Sequence, residues 1–187
     1  MTMKTKLTFL LVASLVTSAA SVSAAEPTAL ELIREGNRYV GEQFKDKIVL
    51  IRSEKSVATL TPQSWLLNYR SEFTSLKGVE VKFVGGKMAD VDTSMKGGRP
   101  FELSRIKVDS DKALSVVTNE PILKNLTLRA SKMSLERIGD ANMPAWRVQL
   151  WAAKLKNPTD SVAIGEILIS TEDATVLKND LKISKVD

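Results

Sequence analysis

Two stretches of this sequence run in the same order: a short amphipathic helical pattern, then a succession of β-prone runs parted by turn residues. Such an order commits a chain to antiparallel sheet with helix laid against it. In the first stretch Leu30, Ile33, Val40 and Phe44 recur at helical spacing with Thr28 or Pro27 placed to start a helix, while Gly36 and Gly41 weaken it. Residues 47–53, 64–70 and 78–84 then read as three strands, and a hairpin at Gly85-Gly86 continues into 87–92. In the second stretch Ser110-Asp111 caps a helix over 112–119, and Pro121 interrupts and restarts it through 122–128. Strands follow at 131–138, 144–154 and 162–170, with a last piece near 176–186. Ala29 and Ala113 stand 84 positions apart and Trp65 and Trp146 stand 81 apart, which reads as a repeat.

The expected fold class is therefore α+β, built as two repeats of a helix packed on a three- to four-stranded antiparallel sheet. The first unit spans 25–92 and the second 101–187, joined by a linker at 93–100 (TSMKGGRP). Residues 101–108 (FELSRIKV) read as an extra strand leading into the second helix. Ahead of both units, Lys4 and Lys6 precede an apolar run at 7–16, and small residues lead to Val22-Ser23-Ala24. That is the pattern of a secretory signal peptide over 1–24, so the expected location is periplasmic or secreted. The apolar run is shorter than the ~20 residues of a membrane-spanning helix.

Composition narrows the chemistry. With no Cys and no His, the chain can build neither Ser-His nor Cys-His nucleophilic sites, nor imidazole or thiolate metal sites, nor disulfides. Cleavage after Ala24 would take away Lys4 and Lys6 and no acid, lowering the formal charge from +5 to +3. The remaining lysines are scattered without a basic run, which argues against nucleic acid as a partner. No cofactor or metal is expected: Asp90, Asp92 and Ser94 have the opening spacing of a calcium loop, but Met95 stands where its glycine belongs and Phe101 where its glutamate belongs. No Walker, dinucleotide or GxSxG pattern is present.

The helix start from Asp109 to Leu114, the Pro-Ala-Trp-Arg-Val run from Pro144 to Val148, and Ile-Gly-Glu-Ile-Leu-Ile-Ser leading to Asp173-Ala174-Thr175-Val176-Leu177 resemble a PepSY-like domain. The resemblance is clearest over 101–187 and weaker over 26–92, and Asp173-Ala174 departs from the glycine-containing turn of that family. It implies a cystatin-like shape and an exported bacterial module that is not an enzyme but binds or restrains a partner, a peptidase among them.

A helix on one side of a sheet leaves the other side free, and strand alternation says which residues it carries. Trp65, Leu67 and Tyr69 share one face of their strand, with Leu66, Asn68 and Arg70 on the other. Trp146, Val148 and Leu150 face the core, and Arg147, Gln149 and Trp151 face away. With Val49 and Ile51 inward, Ile48, Leu50 and Arg52 join the open face. Leu50, Leu66, Arg70, Arg147, Gln149 and Trp151 thus combine aromatic, arginine and aliphatic character as protein-binding surfaces do. The expected function is non-catalytic binding of a protein or peptide in the cell envelope. Two alternatives stay open: an envelope small-ligand carrier or structural component, with a pocket between helix and sheet or between units, and a hydrolase working with carboxylates alone.

Overall fold

The computed structural model describes residues 26–71, 77–139 and 142–187, so the signal peptide read at 1–24 lies outside the described residues. Helix α1 (Ala29–Gly36) starts in a capping box. The Thr28 hydroxyl accepts from the Glu31 amide at 3.4 Å, and the Glu31 carboxylate accepts from the Thr28 amide at 2.9 Å. The helix stops at Gly36, well short of the Phe44 that the apolar spacing included, and Glu42–Phe44 forms only a 3-10 turn. Packing requires glycine at its last position: a Cβ at Gly36 would collide with the Tyr69 hydroxyl, which donates to the Ile33 carbonyl at 3.2 Å. Helix α2 (Ser110–Thr118) is capped by Asp109, and Pro121–Leu123 is a 3-10 turn where the sequence suggested a restarted helix.

The strands are β1 (Ile48–Ser53), β2 (Ser64–Tyr69), β3 (Gly78–Val84), β4 (Lys87–Ser94), β5 (Leu128–Ile138), β6 (Met143–Ala153), β7 (Ser161–Ser170) and β8 (Val176–Asn179). They form a single antiparallel sheet in the order β4-β3-β2-β1-β5-β6-β7-β8. This overturns the expected fold class. In place of two helix-on-sheet repeats there is one eight-stranded sheet, carrying two short helices on one face, and one hydrophobic cluster draws on both halves. The register of β1 on β5 is only Ile51↔Leu135 and Arg52↔Ser134. Serine hydroxyls extend the seam: Ser53 Oγ accepts from the Met133 amide and Ser56 Oγ from the Ser131 amide, both at 2.8 Å. Beyond the two paired residues on this side, backbone donors of the seam are met by side chains.

Above the seam Trp65 and Trp146 reach over β1 and β5 and meet edge to face, with ring centroids 6.4 Å apart. Each indole N–H is satisfied, Trp65 by the Pro62 carbonyl at 3.1 Å and Trp146 by the Val108 carbonyl at 2.8 Å. The strand read at 101–108 is not one. Among these residues Leu103–Arg105 is a 3-10 turn, and the segment crosses from β4 to α2 with Phe101, Ile106 and Val108 buried. Its alternation reported burial, and burial here is against the ends of other strands: the Phe101 amide donates to the Ile48 carbonyl at 2.7 Å, and those of Lys107 and Val108 to Thr171 at 2.8 Å.

Candidate functional site

The face away from the helices is built by the alternate residues of each strand, and its cross-strand rows follow from the register. One row runs Lys82, Leu66, Arg52, Ser134, Arg147, Leu168 and Lys178, and a neighbouring one joins Lys132, Gln149 and Glu166. The six residues singled out from the sequence fall into two groups here. Leu66 and Arg147 are three strand spacings apart in the same row, on the order of 14 Å.

Leu50, Leu66 and Arg70, all half-buried, make the first group. Ile48 is not with them, because a bulge between Ile48 and Leu50 breaks the alternation and turns both Ile48 and Ile51 into the core. Segment 97–102 passes close by: the Arg70 guanidinium lies beside Gly97, and Leu50 lines a cavity of about 590 Å³ that Gly98, Pro100 and Phe101 also line. Arg137 fastens this segment, donating to the Arg99 and Pro100 carbonyls at 3.0 and 2.7 Å and stacking on the Phe101 ring. This end of the face is therefore partly roofed.

Arg147, Gln149 and Trp151 make the second group, on one strand. Arg147 is committed to its neighbours, donating from Nε to Glu136 at 2.8 Å and from Nη1 to Glu166. Partial burial works against its charge, but the Glu136 and Glu166 carboxylates outweigh it and hold the guanidinium pKa above its ordinary value. Gln149 donates to the same Glu166 at 3.3 Å. Trp151 is placed differently. A bulge between Leu150 and Trp151 shifts its partner on β7 to Ala163, while Gly165 faces Leu150. Gly165 adopts φ +123°, and a Cβ there would strike the Asp180 carbonyl, so glycine lets the tail beyond β8 close against β7. The result is an open depression of about 480 Å³ holding Trp151, Gln149, Glu166, Lys182 and Lys185, with the Lys55 ammonium 4.6 Å from the Trp151 ring.

Sequence reasoning identified Gln149 and Trp151 but missed Lys55, Lys182 and Lys185, which approach them only through the β1–β5 seam and the closing tail. Asp90 and Asp92 sit on edge strand β4 and accept from the amides of Val91 and Thr93 at 2.9 and 2.6 Å. Among the described residues no three Asp or Glu side chains gather as metal ligands would. The comparisons with protein-family models, curated proteins and solved structures return no match.

Proposed function

We propose that this protein is an exported, non-catalytic binding module that engages a protein or peptide partner in the cell envelope through the depression around Trp151. The observation that carries this reading is the state of Trp151 itself. Elsewhere on the outer face the polar groups largely answer one another, as Arg147 does with Glu136 and Glu166 and Lys82 with Glu54 at 2.9 Å. At Trp151 a large half-buried ring is set in an open hollow with the Lys55 ammonium over it. A ring so placed can be desolvated by a partner, and tryptophan and arginine dominate the residues that anchor interfaces. The signal-peptide pattern at 1–24 and the resemblance of 101–187 to PepSY-like modules support the same reading.

The test is photo-cross-linking in the host, with a reactive residue placed at Ala163 beside Trp151 or at Ser115 on the helix side. One envelope protein captured from position 163, lost on Trp151→Ala and absent from position 115, is the expected result. Capture that survives Trp151→Ala, or a protein that fractionates with the cytoplasm, overturns the reading.

A further inference from the structure

On the opposite face, where α1 and α2 begin side by side, a second cleft of about 480 Å³ opens between α2 and the loop that leads into β2. Its floor is apolar, formed by Trp65, Met133 and Leu114, with Leu60 and Pro62 on the facing wall. Trp65 spends its indole N–H on Pro62, so the ring presents carbon to the cleft. The volume lies within the range of small-molecule sites, and apolar walls with few polar groups are their usual composition.

The side-chain charges at the rim are of one sign. Glu26 and Asp111 line the cleft, no Lys or Arg does, and neither acid makes an ion pair among the described residues. In a chain of formal charge +5 that is a local reversal. The start of α1 does not cancel it, because its amides are already met by Thr28, Asp109 and Ser110. Asp109 accepts from Leu30 and Ser110, and Ser110 Oγ accepts from Ala29 at 2.9 Å. The hydroxyls of Ser115 and Thr118 on α2 add acceptors between floor and rim.

We infer that this cleft is a binding site for a small molecule with an apolar or aromatic body and a single positive charge, the body resting on Trp65 and Met133 and the cation facing Glu26 and Asp111. The site is independent of the surface around Trp151, which lies on the other side of the sheet.

The probes are phenethylamine, 3-phenylpropionate and 2-phenylethanol, which share a ring and differ in charge, titrated into the full chain and followed by backbone amide spectra. Phenethylamine is expected to move the amides of Thr61, Ser115 and Thr118 and to bind about 3-fold or more tighter than phenylpropionate at low salt, a margin that shrinks as salt is added. Glu26→Gln combined with Asp111→Asn removes that margin and leaves phenylethanol unchanged. Ser115→Trp, which fills the cleft from an exposed position, abolishes binding of all three, whereas Trp151→Ala leaves it intact. Phenylpropionate binding as tightly as phenethylamine, or cleft amides that respond to none of the probes, overturns the inference.

Discussion

Trp146 and Trp151 stand five residues apart on β6 and belong to different environments. Trp146 is fully buried under the helices, its ring against Trp65 and its N–H held by Val108. Trp151 lies on the other face, opposite a bulge in β7, with Lys55 over its ring. The contrast shows how one strand serves two purposes. The inner face locks the two halves into one sheet through contacts that water cannot replace, and the outer face carries ion pairs and one aromatic that water or a partner can reach.

The largest effect should come from the inner face. Trp146→Ala removes a ring shared by both halves and leaves a cavity, so chemical denaturation should report a loss of about 3–5 kcal/mol. Because the ring bridges the halves, a single cooperative transition should persist in the wild type by every probe. Separate transitions for the two halves would break the comparison at its root.

High pH gives the next effect. Burial, with a smaller contribution from Asp46, raises the Tyr69 pKa above the ordinary tyrosine value near 10. The folded state then keeps a proton that the unfolded state releases, so the contribution is fully present below pH ~10 and stability falls above it, by up to about 1.4 kcal/mol per pH unit. Tyr69→Phe should be less stable by about 1 kcal/mol near neutrality, through the lost bond to the Ile33 carbonyl, and should flatten that alkaline decline. A decline as steep in Tyr69→Phe would assign it to other groups.

On the outer face the effects shrink. Arg147→Gln leaves Glu136 and Glu166 facing each other across a half-exposed site, and a loss of about 1 kcal/mol that diminishes with salt is expected in denaturation at two ionic strengths. A loss that salt does not change would mean that the guanidinium acts by packing.

Trp151→Ala should cost least in folding, about 1 kcal/mol or below, while weakening partner binding by about 2 kcal/mol. Thermal unfolding alongside a titration with the cross-linked partner separates the two quantities. If Trp151→Ala unfolds as readily as Trp146→Ala, the outer face is a second core and the comparison fails.

Much of this was legible in the residues because its causes are local. Alternation placed Trp65 and Trp146 inward and Gln149 and Trp151 outward, Gly85-Gly86 marked the β3–β4 hairpin, and the start of α1 was narrowed to Pro27 or Thr28, of which Thr28 is the cap, since each depends on neighbours a few positions away. The joining of β1 to β5 was not legible. A strand edge offers the same backbone donors and acceptors to any other, so the choice of partner rests on side-chain fit across the seam, to which Ser53, Ser56 and the two tryptophans contribute. The bulge at Ile48/Leu50 broke a period that local reading has to assume. Residues 101–108 carried a true burial signal whose geometry was set by a crossing between distant elements. Which residues are buried follows from side-chain chemistry along the chain, and what they are buried against is a long-range choice that only the packed sheet makes.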